Sequence, residues 1–163
     1  MRSFSLIFID TQLWIYAQKE PDKKRFKKVQ EYEKMFEKHQ KASEFMQKCV
    51  QTAIIGMTYH QLFEIFHNLG FQGNSLPLEY CRTFALKLLD ARFIKWYSVE
   101  KSHIRDALDR SRTSRIHIWD YLCVIPLIHD LDRIYTCDQH FKDTTFTEFK
   151  ISIQNPLDYW EII

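Results

Sequence analysis

The sequence predicts an α/β sandwich built on a mainly parallel sheet. Short segments that are apolar on both faces, such as Leu6-Ile7-Phe8-Ile9 and Ala53-Ile54-Ile55-Gly56, alternate with longer segments whose apolar residues recur every three or four positions. Strand, helical crossover and strand, repeated, pack as helices on the faces of a parallel sheet. Length agrees: residues 1–163, 45% hydrophobic and 27% charged, make one domain rather than two. Surface scaling gives about 8,600 Å² folded against about 28,700 Å² extended, so about 70% is buried without disulfides or structural metal.

Leu6–Ile9 is the first buried strand, and a helical stretch begins near Thr11. After Pro21, a long charged helix is expected from about Asp22 to Gln51, with Phe26, Val29, Tyr32, Met35, Phe36, Phe45 and Met46 at helical spacing. The second strand is Ala53–Gly56. Thr58 then caps a helix that Gly70 closes. A loop over 71–77 leads to a helix from Leu78 to about Ala91, and Phe93–Ser98 is β-branched and aromatic enough for a third strand. Glu100–Arg112 and Ile118–Leu131 read as helices, the second kinked or broken at Pro126. Ile134–Thr136 and the alternating Phe149–Ile153 complete the sheet.

Several function classes are excluded or disfavoured. The apolar run Tyr121–Ile128 is too short to span a bilayer, and no long apolar stretch precedes Asp10 as a leader would require. A cytoplasmic, soluble protein is the expectation. Cys49, Cys81, Cys123 and Cys137 form no CxxC pair and read as reduced, packed thiols. There is no Gly-rich phosphate loop. Net charge is only +2, but Lys19, Lys23, Lys24, Arg25, Lys27 and Lys28 cluster, and Lys101, Arg105, Arg110, Arg112 and Arg115 form a second basic stretch. Each alone reads as a solvated helix face; together they suggest a phosphate-bearing partner.

In parallel sheets of this kind, ligands bind beyond the carboxyl ends of the strands. Asp10 directly follows the first strand and Asp138 follows the fourth, so both belong to one sheet edge. Either could instead serve as a helix cap or Asx turn. Asp120, beside Trp119, opens an otherwise apolar helix, where it either complements the helix dipole or faces a cation. Glu64 shares a polar helix face with His60, Gln61, His67 and Asn68. That face is either solvated or turned across the crevice toward Asp10. Three or four carboxylates meeting at one edge require a counter-cation, and oxygen ligands suit Mg²⁺ or Mn²⁺. His60 and His67 lack the i, i+4 spacing of a helical zinc pair, which argues against zinc chemistry.

These residues carry a resemblance. Ile7-Phe8-Ile9-Asp10-Thr11 resembles the opening of a PIN domain, the fold of VapC-type toxin ribonucleases. Met57–Leu69, with Glu64 followed by Ile65-Phe66-His67-Asn68-Leu69, is similar to that family's second acidic motif. Ile118-Trp119-Asp120-Tyr121-Leu122 through Ile134-Tyr135-Thr136-Cys137-Asp138 resembles the third and fourth, and Asn155-Pro156 fits the closing strand and turn. The resemblance implies a single PIN-like domain over residues 1–163, a three-layer α/β/α sandwich with a mainly parallel central sheet. It further implies a metal-dependent endoribonuclease, with the toxin of a toxin–antitoxin pair as one role open to it.

On that reading Asp10, Glu64, Asp120 and Asp138 hold Mg²⁺ or Mn²⁺ and are catalytic, with Thr11 and Thr136 supporting them from behind. RNA is the substrate, Lys23, Lys24, Lys27 and Lys28 contact its phosphates, and an antitoxin protein and a second copy of the chain are the expected partners. Departures from the pattern are His140, where many relatives carry another acid, Pro126 in a helix that usually has a small helix former, and Gln61 in an alternative register for Glu64. A rival reading is a PIN-fold module with a degenerate metal site that binds RNA or protein without cleaving. The chain is too short for the extra DNA-binding elements of flap-endonuclease-type enzymes.

Overall fold

The structure is a computed structural model describing residues 4–163. Met1–Ser3, part of the stretch read for a leader, lie outside the described residues. Five parallel strands form one sheet in the order β3-β2-β1-β4-β5. They are β1 (Leu6–Ile9), β2 (Ile54–Thr58), β3 (Ile94–Tyr97), β4 (Arg133–Tyr135) and β5 (Ser152–Gln154). Helices α1 (Thr11–Gln18), α2 (Val29–Thr52), α3 (Tyr59–Phe71) and α4 (Leu78–Leu89) cover one face. Helices α5 (Lys101–Ser114) and α6 (Ile118–Val124), with the short α7 (Thr144–Thr147), cover the other.

The three layers follow from the period-two alternation of β1. Ile7 and Ile9 enter the core beneath α1–α4, with Leu13, Trp14, Met46 and Ile65. Leu6 and Phe8 enter the opposite core, with Ala107, Tyr121, Val124 and Phe141. Every residue of β1 is buried, which explains why its sequence is apolar throughout. Among the described residues, no helix is long and apolar enough to cross a membrane.

Strand order reverses at β1. The chain moves from β1 to β2 and β3 on one side, then returns to place β4 on the other. Crossovers leaving β1 and β4 therefore diverge to opposite faces and open a crevice at the carboxyl ends of these two strands. Register fixes its walls: Ile9 stands opposite Tyr135, and the Asp10 amide donates to the Tyr135 carbonyl at 2.9 Å.

Several elements depart from expectation for local reasons. The charged helix begins at Val29, not near Asp22. Lys23–Arg25 form a separate 3₁₀ turn, closed where the Asp22 carboxylate accepts the Lys24 amide at 3.0 Å. Phe26 is extended, and its ring meets Tyr32 edge-on at 5.8 Å. Clustered like charges at i, i+3 and i, i+4 oppose a continuous helix here. Gly70 does not close α3, which runs on to Phe71. A Cβ at Gly70 would lie 2.8 Å from Leu78 Cδ2, so the glycine admits α4 close to α3. The last strand is shifted to Ser152–Gln154 because Lys150 adopts a left-handed conformation with φ of 57°. Asp138 caps the 3₁₀ segment Gln139–Lys142, the local role that the sequence also allowed it, and Asp143 caps α7, which no pattern in the sequence marked.

Pro126 does break its helix: α6 stops at Val124 and Ile125–Leu127 tighten into a 3₁₀ turn. That turn drives Leu127, fully buried, onto β2. A Cβ at Gly56 would lie 2.4 Å from Leu127 Cδ2 and 3.3 Å from its Cγ. Gly56→Ala should therefore overpack this contact and destabilise the chain by about 1–3 kcal/mol, read by urea unfolding. An unchanged unfolding midpoint would show that the turn and strand are not in close contact.

Candidate metal centre

The crevice between β1 and β4 collects acidic side chains from four separate elements. Asp10 is the residue after β1, and its carboxylate Oδ2 accepts the Thr136 hydroxyl at 2.8 Å. Thr136 continues β4 by donating its amide to Gln154, and its hydroxyl also accepts the Asp138 amide at 2.9 Å. One buried threonine thus spaces the backbone of Asp138 from the side chain of Asp10. Asp138 in turn accepts the His140 amide at 2.9 Å, while His140 Nδ1 lies 3.4 Å from Asp138 Oδ2.

Glu64 reaches the same crevice from α3. Thr58 caps α3 by accepting the Gln61 amide at 3.2 Å, and the Gln61 side chain donates to the Ile9 carbonyl at 2.7 Å. This ties the first turn of α3 to the end of β1. Gln61 is fully buried in that role, whereas Glu64, one turn on, accepts the Thr11 hydroxyl at 2.7 Å. Geometry therefore assigns the two candidates of the alternative register different places: Gln61 on the backbone of β1, Glu64 at the crevice. Asp120 enters from the first turn of α6, which Tyr121 anchors through Ser114 Oγ at 2.7 Å and Thr145 Oγ1 at 2.6 Å.

The acids lie close enough to perturb one another. Burial, opposed by the Thr136 hydroxyl and reinforced by the charges of Asp138 and Glu64, pushes the Asp10 carboxyl up to about 7. Burial, then the charges of Asp10, Asp138 and Glu64, pushes Asp120 up to about 8. Asp138 is also raised by burial, against the lowering influence of His140 and His117. Among the described residues, no lysine or arginine pairs with any of the four acids, and the one ion-pair contact is that of His140 with Asp138.

The donor set fits a hard divalent cation. Carboxylate oxygens converging without a fixed organic cation suit Mg²⁺ or Mn²⁺, and Asp120, Asp138 and His140 bring ligand atoms within 4.8 Å of one another. His140 was not foreseen as part of the site; only its position two residues past Asp138 marked it. Thr11 and Thr136 both hydrogen-bond acids of the cluster. Lys23, Lys24, Lys27 and Lys28 are exposed on the 3₁₀ turn and connector between α1 and α2, with Lys28 beside Glu31 at 3.5 Å.

Comparison with solved structures defines the class of fold. A chain of VapBC2 from Rickettsia felis, solved bound to a DNA fragment from its promoter, superposes with a TM-score of 0.56 over 92% of this chain and 98% of that one, at 13% identity. A chain of FitAB bound to an IR36 DNA fragment superposes with a TM-score of 0.51, covering 95% and 98%, at 8% identity. The sequence itself matches no family profile and no curated protein. The five-stranded parallel sheet, flanked by helices on both faces, is the PIN-like α/β/α fold that the sequence motifs implied.

Raised carboxyl groups make the metal-free fold sensitive to pH in a defined direction. Asp10 and Asp120 hold protons in the folded state at values where the unfolded chain has released them, so stability is lost as pH rises toward about 7 and 8. With chelator present, unfolding free energy should fall between about pH 5 and pH 8, and Asp120→Asn should flatten that fall. A wild-type stability that rises across this window, or a slope unaltered in Asp120→Asn, would contradict the buried cluster.

Proposed function

We propose that this chain is a divalent-metal-dependent endoribonuclease acting in the cytoplasm as the toxin of a toxin–antitoxin pair. One observation carries the reading: Asp10, Glu64, Asp120 and Asp138 converge at the strand-order switch point with no lysine or arginine among the described residues to neutralise them. Such a cluster is a cation site, and in this fold it lies where ligands bind. The toxin–antitoxin part rests on likeness in fold to the VapBC2 and FitAB chains.

The four acids would hold Mg²⁺ or Mn²⁺. When bound, the ion supplies Lewis acidity toward a phosphodiester and a more acidic water. Thr136 holds the Asp10 carboxylate in position through its hydroxyl, and Thr11 does the same for Glu64. Outside the four acids, basic side chains outnumber acidic ones, so the surface can attract an RNA backbone. Lys23, Lys24, Lys27 and Lys28 are proposed to contribute to that attraction. An antitoxin protein and a second copy of the chain are the proposed protein partners.

Because Asp10 already sits in a setting that favours its neutral form, Asp10→Asn should fold, keeping an oxygen for Thr136 to donate to. It should reduce Mn²⁺-dependent cleavage of a mixed-sequence RNA panel by at least about 100-fold. Asp138→Asn should do the same. Retention of near wild-type cleavage by either would remove these residues from the site. A wild-type chain that binds the RNA panel but never cleaves it would instead assign the fold to a binding module.

A further inference from the structure

Beside the carboxylate cluster lies a second group of potential ligands with different chemistry. His60 and Glu64 stand at i, i+4 on α3, and Cys123 faces them from α6. One ligand atom from each lies within 4.8 Å of the others. Cys123 Sγ is 3.9 Å from Glu64 Oε2. Nε2 of His60 is enclosed and has no hydrogen-bond partner among the described residues, an unusual state for a polar atom shut away from water. Its ring stacks on Trp119 at 4.7 Å and 18°, which holds the imidazole in one plane. Thr11 donates its hydroxyl to the same Glu64 oxygen at 2.7 Å and steadies it.

We propose that His60, Glu64 and Cys123 form a binding site for a borderline-soft divalent cation, Zn²⁺ or Co²⁺, distinct in chemistry from the oxygen-lined centre that it adjoins. Imidazole, carboxylate and thiolate are the three side-chain types that zinc accepts, and a three-residue set leaves a fourth position for water. Sulfur and nitrogen donors exclude Mg²⁺ as the preferred ion. An i, i+4 pair on one helix turn places two ligands on the same face, and the third from a neighbouring helix closes the triangle. Binding replaces the Cys123 S–H bond with a sulfur–metal bond and releases the thiol proton to solvent. Glu64 belongs to both groups, so a soft ion here would compete with the hard centre for one carboxylate. The inference concerns metal binding alone and does not depend on nuclease activity.

The test is a titration of the full chain with Co²⁺, read by absorption, followed by displacement with Zn²⁺. A thiolate-to-cobalt charge-transfer band in the near ultraviolet is expected, bleached by Zn²⁺ and missing in Cys123→Ala. Cys49, Cys81 and Cys137 are free and buried, and none of them joins a three-ligand group among the described residues, so they do not supply the band. Because Cys123 is buried, its variant also removes packing; His60→Gln, at a half-buried position, tests the same site independently. It should weaken Co²⁺ binding at least about tenfold while leaving Mn²⁺ binding in place. No thiolate band in the wild type, a band that survives Cys123→Ala, or an unchanged Co²⁺ affinity in His60→Gln would each overturn the proposal.

Discussion

Burying carboxylates beside one another governs how this molecule is built. Asp10, Asp120 and Asp138 come from the ends of two strands and the start of a helix; burial raises all three above the usual carboxylate range, and neighbouring carboxylates add to it for Asp10 and Asp120. Such a group is unfavourable for folding by itself. Its persistence requires a scaffold that over-determines where each backbone goes. The parallel ladder supplies that for Asp10 and Thr136, and the Tyr121 hydrogen bonds supply it for the helix that carries Asp120.

The C-terminal segment completes the scaffold. Glu161 forms a single parallel bridge with Asp138, its amide donating to Cys137 at 2.8 Å and its carbonyl accepting from Gln139 at 2.7 Å. Its carboxylate pairs with Lys38, buried in α2, and accepts the Tyr16 hydroxyl. A buried lysine is retained where a partner satisfies it, and removing either side would leave an unpaired charge inside. The backbone that presents Asp138 is thereby tied to α1 and α2, on the opposite side of the crevice from α6. Rigid placement of like charges is what a cation site demands, and the packing supplies that rigidity around Asp10, Asp120 and Asp138.

Much of this was legible in the residues because it rests on short-range patterns. A doubly apolar strand followed by Asp10 places that acid at a sheet edge, and the alternation of strand and helix places Asp138 at the same one. Pro126 announces its break through a missing amide. Other features depend on partners distant in sequence. Gly56 and Gly70 look like ordinary punctuation, yet they make room for Leu127 and Leu78. The basic run after Asp22 has helical spacing, but like-charge repulsion and an Asx turn defeat it locally. Cys123 reads as one more apolar core residue on α6, and only tertiary packing sets it against His60 and Glu64. Weighing His60 only against His67, which lacks the spacing of a helical metal pair, passes over the Glu64 that stands one helical turn away.

If the four carboxylates form one cation site, a divalent ion relieves their repulsion, and thermal unfolding near neutral pH with and without Mn²⁺ reads that relief. An ion that binds only the folded chain, at about 100 times its dissociation constant, adds roughly 2.7 kcal/mol. For a chain of this size that corresponds to a rise in Tm on the order of 5–11 °C. Asp120→Asn should melt higher than wild type without metal and lose most of the Mn²⁺-dependent rise. A wild-type Tm indifferent to Mn²⁺, or an Asp120→Asn variant that melts lower and responds fully, would mean that the four carboxylates do not share a cation.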